Sequence, residues 1–114
     1  MSELETLSRM TCKACEGGTK PFSAKDIKQY LSRVRGWKLI KGEIVKTFTF
    51  KNYYETISFV NATAWISNQE NHHPDLEVGY KNCKVRYMTH SIKGLSENDF
   101  ICAAKLDGLL EGNS

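Results

Sequence analysis

Twice along this chain the hydrophobic period switches from strand-like to helix-like, and that repeated order limits the folds open to it. "WKLIKGEIVKTFTF" sets two runs rich in β-branched and aromatic residues, Trp37 to Ile40 and Ile44 to Phe50, around a Lys41-Gly42 turn. This predicts a β-hairpin. From Asn52 to about Asn68, Tyr53, Ile57, Val60 and Ala64 recur at helical spacing without Gly or Pro between them, so a helix follows. The pattern then repeats. Leu76 to Tyr80 and Lys84 to His90 flank a Lys81-Asn82 turn, and "GLSENDFICAAKLDGLLEG" reads as a helix with Ser96 as N-cap, Asp99 in the first turn and Gly112 past the end. An earlier helix starts at Ser23, has Asp26 near its positive end, carries Ile27, Leu31 and Val34 on one stripe and ends near Gly36. The order α-ββα-ββα contains no parallel crossover. It predicts an α+β fold, a single four-stranded antiparallel sheet with three helices packed on one face.

At 114 residues the chain has room for one core and not comfortably for two. The domain is expected over residues 22–114. Residues 1–21 include "CKACEGGTKP", show no apolar period and read as a loosely ordered lead-in. The net charge of +3 is spread along the chain rather than gathered in a run, so nucleic acid is not an expected partner. No stretch is long and apolar enough for a bilayer, and Met1 to Met10 lack the basic-then-apolar order of a secretory signal. A cytoplasmic protein with reduced thiols is the expectation. Cys12 and Cys15 form one C-x-x-C, but no second pair follows at finger spacing to complete four zinc ligands. Cys83 and Cys102 fall in a strand and a helix, where thiols pack as small apolar groups.

The chemistry concentrates in three histidines. His72 and His73 follow the second helix in "ENHHPDL", and His90 closes the last predicted strand. In a regular hairpin that strand returns to where its partner began, which brings His90 beside His73. Strand alternation places His90 with Lys84, Arg86 and Met88, away from the more apolar Val85, Tyr87 and Thr89. An imidazole ordinarily titrates near pH 6.5, so such a pocket can hold a proton donor and an acceptor together near neutrality. Asn68, Glu70, Asp75 and Asp99 are candidates to fix tautomers or hold a polar substrate. Ser91 and the cysteines carry no nucleophile motif. Three histidines also suit zinc with an open water position, and a lone His before Pro74 suits an ordinary helix end. Adjacent histidines point in different directions, however, which favours metal-free acid-base chemistry.

"ENHHPDLEVGY", then "VRYMTH", then "GLSENDF" resembles the signature of the pterin-4a-carbinolamine dehydratase family. Trp37 and "FTFKNY" extend the likeness toward Phe22, and the lead-in with its C-x-x-C resembles bacterial members. The resemblance implies a lyase that dehydrates 4a-hydroxytetrahydrobiopterin to quinonoid dihydropterin and water, recycling tetrahydrobiopterin for aromatic amino acid hydroxylation. The pterin is then the substrate, with no metal and no cofactor.

By position, the resemblance implies that His72, His73 and His90 are catalytic, with His72 and His90 as acid and base and His73 holding or helping to protonate the hydroxyl. Asp99 would orient a histidine or support the fold, Pro74 would shape the pocket and Thr89 would bond the pterin. Where the family commonly has an acid four residues before the first histidine, this chain has Asn68, which Glu70 can replace if the helix end is irregular. The family also implies a homodimer or homotetramer and a functional link to phenylalanine hydroxylase. Its alternative role is that of a non-catalytic binding or assembly partner, coactivator-like, on the same scaffold.

Overall fold

The computed structural model describes residues 3–13 and 20–111. Ser23 opens a helix by accepting the Asp26 amide while the Asp26 carboxylate accepts the Ser23 amide, a reciprocal capping box. This helix, α2 (Ala24–Leu31), ends at Ser32, short of Gly36, and the chain turns through Gly36 at φ +83° into β1 (Lys38–Ile40). Lys41 and Gly42 both take positive φ, as a two-residue hairpin turn requires, and lead into β2 (Glu43–Thr49). Asn52 caps α3 (Tyr53–Glu70) through the Glu55 amide. Strands β3 (Asp75–Val78) and β4 (Asn82–Tyr87) follow, then a 3-10 turn (His90–Ile92) and α4 (Glu97–Glu111).

All strand pairings are antiparallel and the sheet order is β1-β2-β4-β3. The expected α+β architecture is present, with the predicted α-ββα-ββα order from α2 onward. Ile44, Phe48, Cys83, Val85 and Tyr87 share the covered face and are all buried. Against them lie Phe59 and Ile66 of α3 and the buried run Phe100 to Ala104 of α4. The other face is charged, with Arg86 paired to Glu77 and close to Glu43. No helix among the described residues is long and apolar enough to cross a membrane.

Three details differ from the sequence reading. Residues 1–21 contain a helix, α1 (Glu3–Ser8), which packs on α4 with Leu7 buried and the Ser8 carbonyl accepting from Lys105 Nζ at 2.7 Å. Six residues are fewer than two helical turns, too short a run to carry a detectable apolar period. The second hairpin turns earlier than Lys81-Asn82: Gly79 donates to the Asn82 carbonyl at 2.8 Å, so Tyr80 leaves the strand and Asn82 begins the next one. β4 also stops at Tyr87 rather than His90, because Thr89 pairs with Gly94 across the 3-10 turn instead of with the sheet. The predicted C-x-x-C and Gly112 stop involve Cys15 and Gly112, which lie outside the described residues.

A buried polar cluster fastens the helical layer to the sheet. Asp107 of α4 accepts from Trp37 Nε1 at 3.0 Å and from Lys46 Nζ at 2.8 Å. Asp107→Ala strands the buried indole N–H and leaves Lys46 with the Arg35 carbonyl and solvent, and is expected to cost about 2 kcal/mol in urea unfolding.

Candidate active site

The site begins where α3 ends. Asn71 takes the left-handed conformation at φ 51°, and both it and His72 donate their amides to the Ser67 carbonyl. That reversal swings His72 off the helix and against the sheet, with its ring stacked on buried Tyr87 at 5.8 Å and 7° between planes. His72 Nε2 then lies 2.7 Å from Asp99 Oδ1. The Asp99 side chain is 0% exposed and that of His72 only 12%.

Asp99 is held from its other side as well. Its Oδ2 accepts from Thr89 Oγ1 at 2.8 Å and from the Ser96 amide at 2.9 Å. The second bond is half of a capping box, an acid three residues into α4 reaching back to the cap amide. It also sets the carboxylate at the positive end of the helix dipole. Because Thr89 has one hydroxyl proton and directs it to Asp99, the 2.7 Å contact between Thr89 and Ser96 has Ser96 as donor.

These bonds decide the tautomer of His72. A carboxylate only accepts, so Nε2 carries a proton and neutral His72 keeps its lone pair on Nδ1. The arrangement is a base oriented by a buried acid. His73 follows His72 in the chain and His90 follows Thr89, so both lie one residue from the Asp99 network at the same end of the sheet. Both are exposed, and Pro74 between His73 and β3 is half-buried. Among the described residues, only His72 of the three histidines has a carboxylate partner, and no three His, Cys, Asp or Glu side chains are grouped to hold a metal ion.

Asn68 and Glu70 lie apart from this network. Asn68 is exposed on α3. Glu70 faces the N-terminal segment, accepting the Cys12 amide at 2.9 Å and standing 3.9 Å from Lys105 Nζ. The S-x-x-D spacing marks the hydrogen bond from the amide of Ser96, the expected N-cap, to Asp99, whereas the contact of its hydroxyl with Thr89 and the support of His72 by Tyr87 had no local signal.

The Tyr87 hydroxyl is buried without a hydrogen-bond partner among the described residues. Burial pushes its phenol well above the ordinary range, with the Cys102 and Cys12 thiols adding to the effect. The folded state therefore favours the neutral phenol, and this stabilisation is present below about pH 10 and lost as the pH rises beyond it. Tyr87→Phe is expected to raise the midpoint of alkaline unfolding and to add up to about 1 kcal/mol at neutral pH. Circular dichroism along a base titration checks the first effect, and urea unfolding the second.

A groove of about 590 Å³ lies elsewhere, lined by residues that include Phe50, Tyr54, Phe59 and Leu109, and shares no residue with the His72 network.

With this geometry in place, the family model described as Pterin 4 alpha carbinolamine dehydratase matches residues 20–109. A Nitrosomonas eutropha protein named "Putative pterin-4-alpha-carbinolamine dehydratase" is 53% identical over 111 residues, covering 96% of this chain and 98% of its own. A crystal structure of a transcriptional coactivator/pterin dehydratase from Brucella melitensis superposes with a TM-score of 0.76 at 24% identity, over 79% of this chain and 98% of that one. A pterin dehydratase-like protein identified as a RuBisCO assembly factor in the alpha-carboxysome gives a TM-score of 0.57 at 24% identity, over 66% and 89%. These two structures show the likeness of fold alone.

Proposed function

Since the chain belongs to the pterin-4a-carbinolamine dehydratase family, we propose that it catalyses loss of water from 4a-hydroxytetrahydrobiopterin. The observation carrying this reading is the His72–Asp99 pair at 2.7 Å. Elimination requires a proton to leave N5, the N5 electron pair to form the C4a=N5 double bond, and the C4a–O bond to break as the hydroxyl takes up a proton. His72 Nδ1, its lone pair fixed by the bond from Nε2 to Asp99, is the base at N5. His90 delivers the proton to the departing hydroxyl, and His73 holds that hydroxyl and the ring. Asp99 stays ionised and stabilises the imidazolium that forms on His72. Each step moves a proton or an electron pair, so the reaction calls for no metal and no cofactor.

The proposal extends to the assembly and setting of the protein. β1, with Leu39 and Ile40 exposed, is an open sheet edge on which copies of the chain can pair. The substrate would come from an aromatic amino acid hydroxylase such as phenylalanine hydroxylase. A binding or assembly role has the likeness of fold on its side, but it leaves the buried dyad without a task.

The test is direct: generate 4a-hydroxytetrahydrobiopterin with a hydroxylase and follow its disappearance with and without this protein. Acceleration proportional to protein concentration is expected. A rate equal to the spontaneous one at every concentration would leave only the binding role.

A further inference from the structure

The thiol pair behind the active site is used by nothing in the mechanism. Cys12 Sγ and Cys102 Sγ stand 3.5 Å apart, from residues 90 positions apart in the chain. Around them the N-terminal segment is pinned at three points. The Cys12 amide donates to Glu70 at 2.9 Å, the Lys13 amide donates to Asn98 Oδ1 at 3.0 Å, and Asn98 Nδ2 donates back to the Lys13 carbonyl at 2.5 Å. Residues 12 and 13 thus form a strap joining the end of α3, just before His72, to the first turn of α4, which carries Asp99.

We propose that Cys12 and Cys102 are a redox modification site, forming a reversible disulfide that fastens this strap to α4 under oxidation by a hydroperoxide. A disulfide holds its sulfurs about 2.05 Å apart, so side-chain rotation with a small shift of the strap closes the gap. Cys12 is half-buried and Cys102 fully buried, so the peroxide meets Cys12 first. The Cys12 thiol against it, together with burial, pushes the Cys102 thiol well above the ordinary range and keeps it protonated until its neighbour has reacted.

The electrons balance in two steps. The Cys12 thiolate attacks one peroxide oxygen, the O–O bond breaks, and Cys12 becomes a sulfenic acid while hydroxide leaves and is protonated to water. Cys102 then attacks the Cys12 sulfur, the S–O bond breaks, and the departing hydroxide takes the Cys102 proton as a second water. Two thiols are oxidised and one peroxide is reduced. A dithiol reverses the change by exchange.

Cys15 is the rival partner for Cys12, and Lys13 lies between the two, so trypsin separates them. The intact reduced protein is treated with stoichiometric hydrogen peroxide, alkylated, and digested without reduction. Expected is a linked pair of peptides, residues 10–13 with 94–105, and a thermal midpoint raised by about 10 °C or more and restored by dithiothreitol. Cys15→Ala retains both effects. Cys102→Ala loses both, while its reduced form melts close to the reduced wild type. A Cys12–Cys15 link in place of the expected one, or Cys102 alkylated in full on unfolding after oxidation, would overturn the proposal.

Discussion

His72→Gln is expected to lower the rate constant for carbinolamine dehydration by about 10²–10⁴-fold while leaving the protein folded. The distinction between the two outcomes rests on Asp99. Removing the His72 ring altogether would leave a carboxylate that is 0% exposed without its Oδ1 partner, and breaking a buried pair from one side costs about 3–5 kcal/mol. Alanine at position 72 therefore confuses lost catalysis with lost stability. Glutamine keeps an N–H that can reach Asp99 and carries no titratable lone pair, so it removes the base alone. Steady-state rates and urea midpoints measured together separate these effects. A glutamine variant as fast as wild type would exclude His72 from proton transfer.

Asp99→Asn is expected to reduce the same rate by about 10²–10⁴-fold through the tautomer of His72. Oδ2 of Asp99 faces two donors, Thr89 Oγ1 and the Ser96 amide, so the asparagine oxygen settles there and its NH₂ turns toward His72. Nε2 must then accept, the ring proton moves to Nδ1, and the base is lost with the fold almost unchanged. Nitrogen-15 NMR of the imidazole reads this switch directly, Nε2–H in the wild type and Nδ1–H in the variant. Asp99→Ala behaves differently: the Thr89 hydroxyl and Ser96 amide also lose their partner, and stability falls by about 3–5 kcal/mol. Activity loss in Asp99→Asn with an unchanged His72 tautomer would assign Asp99 some other role.

The sequence showed the fold more fully than it showed the site. Periodicity, the Lys41-Gly42 turn and the cap at Ser23 are local signals, and the sheet and helices follow from them. Alternation along Val85, Tyr87 and Thr89 correctly marked the covered face, since all three are buried. The pairing of His72 with Asp99 spans 27 residues and depends on where two helix ends meet, which no spacing records. The sequence offered Asn68 as an upstream partner, or Glu70 if the helix end is irregular, whereas α3 runs unbroken to Glu70. The left-handed Asn71 then ends it, and Glu70 is left facing Cys12. The role of the N-terminal segment was hidden for a similar reason: its contacts are backbone amides and carbonyls meeting Glu70 and Asn98, and amides leave no mark in composition.

The most direct test is a crystal structure with a bound dihydropterin. Expected is the pterin ring between His72 and His90, with N5 within hydrogen-bond reach of His72 Nδ1 and Nε2 still on Asp99. A pterin seated instead in the groove lined by Phe50, Tyr54, Phe59 and Leu109, with the His72 face empty, would contradict a dehydratase built on this dyad.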